Sequence, residues 1–112
     1  MSGKCKCGSI TYTVPHLPHE IADCYCSICQ RLHNKTFMSF AKYDINKIIF
    51  TGRENLLMIP TSDHASRGYC NLCDSPLFMH YDQSQNIWIV IDSLSDNCES
   101  IEHYDIHRQK TT

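Results

Sequence analysis

The stretch Cys5-Lys6-Cys7-Gly8-Ser9-Ile10-Thr11-Tyr12-Thr13-Val14 decides the fold. It begins with two thiols placed two residues apart, so both lie on the same side of an extended chain and suit a shared metal ion. Polar and apolar residues then alternate up to Val14, with β-branched and aromatic side chains among them. This period of two predicts a half-buried strand directly after the cysteine pair.

A second pair of cysteines completes the first predicted metal site. Cys70 and Cys73 are separated by two residues, and this spacing between two predicted strands is a strong metal signal. Closed structural zinc sites have four tetrahedral ligands, so the two pairs together make one four-thiolate site. Such a site closes a loop of roughly sixty residues. We expect its loss to impair folding directly.

Three more thiols, Cys24, Cys26 and Cys29, lie within six residues of one another. Zinc held by three protein ligands with an open fourth position is the catalytic pattern, so this trio predicts a zinc ion that leaves one position for water or a substrate thiol. Two other interpretations stay open. The trio could be closed by His33, one helical turn after Cys29, or by Cys98, and three thiolates also suit an iron–sulfur cluster.

Length and composition limit the possible classes of protein. A chain of 112 residues predicts a single domain spanning 1–112. The formal charge of -2 argues against a nucleic-acid partner. Neither an apolar leader nor an apolar run of about 20 residues occurs, so we expect no secretory signal and no membrane span. These features favour a cytoplasmic protein, whose eight cysteines bind metal rather than form disulfides.

The remaining pattern predicts a mainly β domain of mostly antiparallel strands with little helix. Six further strands are predicted: Ile21–Tyr25, Thr36–Ala41, Lys47–Thr51, Leu56–Ile59, Leu77–Tyr81 and Ile87–Ile91. The last run is apolar throughout, so we expect it to be central and covered on both faces. Residues 61–68, which follow the predicted strand Leu56–Ile59, are polar and predict a loop at the rim of the functional site. One or two helical turns fit Ser27–His33, and a weak strand lies near Ile101–Tyr104.

Several motifs in order resemble one known family. They are Cys5-x-Cys7-Gly8-x-Ile10-x-Tyr12, Cys24-x-Cys26-x-x-Cys29-x-Arg31 and Ser66-Arg67-Gly68-Tyr69-Cys70-x-x-Cys73-x-Ser75-x-Leu77. This order is similar to that of the glutathione-dependent formaldehyde-activating enzyme family (GFA). That family shares the Mss4-like β-tent fold with centromere protein V.

The resemblance implies two zinc ions with different tasks. It implies a structural zinc on the two cysteine pairs, and a functional zinc on Cys24, Cys26 and Cys29, where glutathione or another thiol reaches the metal. The named reaction of the family joins formaldehyde to glutathione as S-(hydroxymethyl)glutathione, which is carbon–sulfur lyase chemistry. The alternative is a non-catalytic zinc-binding module that binds a thiol ligand or a protein partner. A methionine sulfoxide reductase, with Cys98 as its nucleophile, is a third possibility.

Other residues are candidates for contact with a thiol substrate. Arg31, Lys35 and Arg67 could each receive a carboxylate of a glutathione-like molecule. Tyr25 stands where the family usually has His, and could donate a hydrogen bond to an oxygen at the metal. Asp74 stands where the family usually has Gly. Because Asp tolerates left-handed backbone, we expect the turn after Cys73 to be retained.

A pair of loop histidines, His16 and His19, is a weaker candidate for metal binding. The sequence does not indicate an oligomeric state.

Overall fold

The computed structural model of the chain describes residues 2–25, 30–31, 36–61, 63–95 and 101–106. These residues contain ten strands: β1 Ser2–Lys4, β2 Thr11–Thr13, β3 Ile21–Cys24, β4 Met38–Asp44, β5 Ile49–Thr51, β6 Leu56–Pro60, β7 Ala65–Cys70, β8 Pro76–Tyr81, β9 Asn86–Val90 and β10 His103–Ile106. Three short 3-10 helices cover Ile45–Lys47, Arg53–Asn55 and Ile91–Ser93. The fold is mainly β, as the sequence predicted, and it is consistent with an Mss4-like fold.

The strands form two sheets. The smaller sheet has the order β1-β2-β5, and the larger has the order β10-β3-β4-β9-β8-β7-β6. Neighbouring strands are antiparallel except for β10 and β3, which are parallel, with His103 beside Ile21. Because β3 and β10 come from distant parts of the chain, this parallel pair could not be read from local sequence.

The two faces of the larger sheet bury different side chains. The register pairs Phe40 with Val90 and Ala41 with Ile89, and consecutive residues of a strand point to opposite faces. On one face, Ala41 and Ile89 pack with Tyr12 and other side chains of the smaller sheet. On the other face lies a second cluster of five buried side chains: Cys24, Met38, Phe40, Met79 and Val90.

The strongest sequence patterns are confirmed. Ile10, Tyr12 and Val14 are 0%, 1% and 5% exposed, so the predicted half-buried strand buries its apolar side. The run from Ile87 becomes β9, which lies between β4 and β8 in the middle of the larger sheet.

The prediction of a rim loop over residues 61–68 is wrong. Its second half belongs to β7, which pairs with both β6 and β8. The polar composition of this segment concealed the strand, because pairing on both sides satisfies its backbone whatever the side chains are. Gly68 has a specific reason to be there, since a Cβ at this position would lie 2.4 Å from the ring of Phe78.

Little helix is present in the part of the chain that the structure describes. Residues 30 and 31 are helical, and the rest of the predicted turn over Ser27–His33 lies outside the described residues. None of the described helices is long and apolar enough to cross a membrane.

Candidate metal centre

The first cysteine pair sits on a tight turn that follows β1. The Gly8 N–H donates to the Cys5 carbonyl at 3.1 Å, and the Cys5 N–H donates to the Ile10 carbonyl at 3.1 Å. Gly8 has φ of 77°, a left-handed conformation that glycine adopts without strain. The turn leads the chain into β2 and leaves Cys5 buried and Cys7 exposed.

The second pair sits on a similar turn that follows β7. The Asp74 N–H donates to the Cys70 carbonyl at 2.8 Å, and the Cys70 N–H donates to the Ser75 carbonyl at 3.0 Å. Asp74 has φ of 60°, so it does adopt the left-handed backbone expected of it. The two turns face each other, and the Lys6 N–H donates across the gap to the Ser75 hydroxyl at 3.1 Å.

The four thiols converge on one centre. All four Sγ atoms lie within 4.8 Å of one another. Cys5 Sγ is 3.6 Å from Cys7 Sγ, which is 3.7 Å from Cys70 Sγ. A tetrahedral ion with metal–sulfur bonds of about 2.3 Å places its sulfurs about 3.8 Å apart, whereas a disulfide requires about 2.05 Å. The donor set and its spacing therefore fit a four-thiolate metal ion, and the described cysteines form no disulfide.

Hydrogen-bond donors surround the sulfur atoms. The backbone N–H groups of Ile10 and Leu72 each lie 3.4 Å from a sulfur, of Cys5 and Cys70 respectively. The Ser9 hydroxyl lies 3.1 Å from Cys7 Sγ and 3.2 Å from Cys70 Sγ. Donors of this kind stabilise thiolates, which are the metal-binding form of cysteine.

Two thiols of the cluster have a lowered pKa. The Ser75 hydroxyl, 3.0 Å from Cys73 Sγ, is the main cause of the lowering of the Cys73 pKa to about 5. Burial raises the pKa of Cys5, but hydrogen bonds from the Ile10 N–H and the Ser9 hydroxyl outweigh it and lower that pKa to about 7. These two thiols therefore lose their protons more readily than an ordinary cysteine, and the resulting thiolate is the form that binds a metal.

The pKa of the Cys7 thiol is raised instead. The Ser9 hydroxyl and N–H lower its pKa, but burial and the thiols of Cys5 and Cys73 outweigh them and raise it. Four thiols this close cannot all ionise easily without a cation between them, because their negative charges repel. This repulsion is a further reason to expect a cation at the centre.

The structure places one thiol of the predicted trio. Cys24 ends β3 and is 0% exposed, with Met38 as its partner on β4. It belongs to the buried cluster that contains Phe40 and Met79. The other two, Cys26 and Cys29, lie outside the described residues, as do His33, Lys35 and Cys98.

An open cavity lies beside the strand partner of Cys24. Its volume is about 310 Å³, and its lining residues are Thr36, Phe37, Met38, Ser39 and Asp92. The ring of Tyr25 packs against that of Phe37, with centroids 5.0 Å apart. Sequence reasoning missed Asp92, although its place directly after the central apolar run could have drawn attention to it.

Arg67 is buried on the same face of the sheet as Cys24. Its side chain starts on β7, and its guanidinium carbon lies 5.8 Å from the centre of the Phe40 ring on β4. Phe40 and Cys24 share a buried cluster, so the guanidinium extends across the face toward Cys24. Arg67 is only 3% exposed. Arg31, the other described arginine candidate, is exposed.

Two histidine groups have structural explanations. The rings of His16 and His19 stack with centroids 4.5 Å apart and an angle of 9°, a packing arrangement rather than a convergence on a metal ion.

His103, on β10, places Nδ1 2.9 Å from the Asp23 carboxylate, which also accepts a hydrogen bond from Ser39. Asp23 precedes Cys24 in β3 and therefore points to the opposite face of the sheet.

Comparisons with known proteins give a family match and a similar solved structure. A family model described as glutathione-dependent formaldehyde-activating enzyme matches residues 1–108. The fold is similar to the crystal structure of a Rhodobacter sphaeroides protein solved by structural genomics, with a TM-score of 0.74 and 19% identity. That likeness covers 93% of this chain and 100% of the other, and it shows a shared fold. None of the curated protein sequences matches the chain significantly.

Proposed function

The chain belongs to the glutathione-dependent formaldehyde-activating enzyme family, and on that premise we propose that it is a zinc-dependent carbon–sulfur lyase acting on a thiol and an aldehyde. Glutathione, or a thiol with similar charged groups, is the proposed substrate. In the joining direction, the sulfur of the thiol bonds to the aldehyde carbon. The π bond of the carbonyl group breaks, and its oxygen takes up the proton that the thiol releases. The product is a hemithioacetal, which with formaldehyde is the S-hydroxymethyl adduct, and nothing is oxidised or reduced.

Two groups of cysteines would hold zinc in this proposal. Cys5, Cys7, Cys70 and Cys73 would hold a structural ion, and their sulfur spacing supports this assignment. Cys24, Cys26 and Cys29 would hold a functional ion. When bound, that zinc would lower the pKa of a thiol and polarise a carbonyl group.

The observation that carries the substrate assignment is the position of Arg67. Its guanidinium places a positive charge on the face of the sheet that contains Cys24, and a guanidinium binds a carboxylate through two parallel hydrogen bonds. The guanidinium carbon lies 5.8 Å from the centre of the Phe40 ring, a distance at which a cation is attracted by the face of the ring. In this proposal Arg67 binds and orients a carboxylate of the thiol, while the apolar surroundings of Cys24 exclude water.

The cavity next to Met38 provides the second half of the proposed substrate site. Phe37 and Met38 give it apolar walls, and Asp92 adds one carboxylate. Glutathione carries an ammonium group as well as two carboxylates, so Asp92 and Arg67 together have charges opposite to those of the ligand. In this proposal Tyr25, whose ring packs against that of Phe37, contacts the same ligand.

The test is formation of the hydroxymethyl adduct, followed by NMR with zinc-loaded protein. We expect the protein to accelerate exchange between free glutathione and its adduct. The variant Arg67→Gln should raise KM for glutathione by roughly tenfold to a hundredfold, the value of a charge-assisted hydrogen bond. It should hardly change the reaction of a small thiol that has no carboxylate, and Lys47→Gln, on the exposed surface, is the matched control.

Two results would count against catalysis. No acceleration above the uncatalysed rate with any of several thiols and aldehydes would refute the enzyme. A stable, stoichiometric complex with an unprocessed thiol would instead identify a binding module.

A further inference from the structure

A cavity of about 280 Å³ lies between the two sheets. The smaller sheet contributes Phe50 to its wall, and the larger sheet contributes Met58 and Phe78 among others. Phe78 and its neighbour Met79 in β8 point to opposite faces of the larger sheet, and Met79 belongs to the buried cluster of Cys24. The cavity therefore lies on the other face of the sheet from the proposed substrate site. Its volume is close to the lower end of the range that small-molecule sites occupy, about 300 to 1,000 Å³.

Aromatic rings form part of the apolar wall. The ring of Phe50 lies 5.6 Å from that of Tyr12 and 5.5 Å from that of Phe78, and the planes are tilted by 47° and 54°. A Cβ at Gly68 would overlap the Phe78 ring, so glycine is what lets this ring pack against the backbone of β7. Tilted contacts are an arrangement that aromatic rings favour. A ligand ring in the cavity would extend this series of rings.

Arg53 is the source of charge at the cavity. Of the described residues that line it, only Arg53 and His80 are polar, and none carries a carboxylate. His80 places Nε2 2.9 Å from the Ser84 carbonyl, so this ring nitrogen donates its hydrogen there. Arg53 is exposed, and the described part of the chain contains no ion-pair partner for it. The guanidinium is therefore available to a ligand.

The carboxylate of Glu54 does not cancel this charge inside the cavity. Glu54 follows Arg53 in the short helix Arg53–Asn55, but it is not one of the residues that line the cavity. Successive side chains of a 3-10 helix point about 120° apart, because the helix has three residues per turn. A helix that directs Arg53 to the cavity thus directs Glu54 elsewhere, and the cavity combines an apolar wall with one positive charge.

We infer that this cavity binds a small aromatic carboxylate, with its ring against Phe50 and Phe78 and its carboxylate on Arg53. A guanidinium binds a carboxylate through two parallel hydrogen bonds. The ring gains by leaving water for an apolar wall, a gain that a bare anion such as acetate lacks. A ligand of this size with one exposed ion pair should bind with a dissociation constant on the order of 0.1 to 1 mM.

The first test locates the ligand. Hydrocinnamate, a phenyl ring on a short carboxylate chain, is titrated into the zinc-loaded full-length protein, and methyl groups are followed by NMR. We expect saturable shifts at Ile48, Met58 and Ile87, which line the cavity, and none at Met38 and Met79 in the cluster of Cys24. No saturable shift at the cavity methyl groups, or shifts at Met38 and Met79 instead, overturns the inference. Neither result bears on the reaction of glutathione with formaldehyde.

The second test concerns the two halves of the ligand. Arg53→Gln should weaken the binding of hydrocinnamate by roughly threefold to tenfold, the value of an exposed ion pair, and the amide of hydrocinnamate should bind the wild type with the same loss. Lys42→Gln is the matched control, because it removes one positive charge from the other face of the sheet, where Lys42 lies over Trp88, and it should leave the affinity unchanged.

Circular dichroism of Arg53→Gln and Lys42→Gln checks that both variants keep the fold. An amide that binds as tightly as the acid, or equal losses in the two variants, contradicts a carboxylate on Arg53. The cyclohexyl analogue of hydrocinnamate should bind more weakly than hydrocinnamate, because it has no aromatic ring to place against Phe50 and Phe78. Equal affinity for these two acids contradicts an aromatic ligand.

Discussion

Ser9 and Ser75 show what single residues add to the cysteine cluster. Their hydroxyls contact the sulfurs of Cys7, Cys70 and Cys73 at 3.0 to 3.2 Å. The cysteines could be predicted because few residue types bind metal and their spacing is distinctive. The serines could not, because serine occurs in any turn and only the folded chain shows that its hydroxyl reaches a sulfur.

The change Ser9→Ala should lower zinc affinity by about tenfold to a hundredfold, the usual effect of removing a partner of a metal ligand. Competition with a zinc chelator measures it. The control is Ser2→Ala, at an exposed position away from the cluster. Equal affinities for the two variants would mean that the Ser9 hydroxyl contributes nothing to the thiolates.

The change Gly68→Ala should reduce the free energy of unfolding by about 1–3 kcal/mol, because the new methyl group would overlap the Phe78 ring. Urea denaturation measures it. Gly8→Asn is the comparison, since no atom lies within 4 Å of a Cβ there and Asn tolerates positive φ. If both variants lose the same stability, crowding by Phe78 is not the reason for glycine in β7.

Strands could be predicted from the sequence where the pattern that reveals them is local. The apolar run of β9 and the alternation around β2 report burial directly, so both were recognised. The polar composition of residues 61–68 predicts a loop, but pairing with β6 and β8 makes the second half of this segment part of strand β7. The parallel pairing of β10 with β3 joins segments far apart in sequence, and the contact of His103 with Asp23 appears only in the fold.

Shortening a buried side chain of β9 tests whether this strand lies at the centre of the core. Ile89→Ala should lower the free energy of unfolding by about 2–5 kcal/mol, since Ile89 is 0% exposed in β9. Ile49→Ala, at 68% exposure, should change it by less than about 0.5 kcal/mol. Thermal or urea unfolding compares them, and a similar loss for both would mean that β9 is not the centre of the core.

For the whole molecule, the four-thiolate cluster connects the start of the chain to the end of β7. It therefore joins the turn between β1 and β2 of the smaller sheet to the end of β7 in the larger sheet. The sequence predicted this connection from two cysteine pairs alone. It could not show the burial of Arg67 or the cavity beside Asp92, because both depend on how the faces of the larger sheet are covered.

Removal of metal should accordingly destabilise the whole fold. With excess chelator, we expect the melting temperature of the protein to fall and unfolding to lose cooperativity, because metal binding and folding are coupled in such sites. Differential scanning fluorimetry with and without added zinc measures the shift. An unchanged melting temperature after complete metal removal would show that the cluster is dispensable for folding.

The central claim is a division of tasks between four cysteines that hold the scaffold and three that hold a reactive metal. Native mass spectrometry of zinc content in wild type, Cys24→Ser and Cys70→Ser tests it most directly. We predict two zinc ions in wild type, one ion in a folded Cys24→Ser variant, and a loss of fold in Cys70→Ser. A wild-type protein that binds a single ion, or a Cys24→Ser variant that keeps both ions, would contradict the claim.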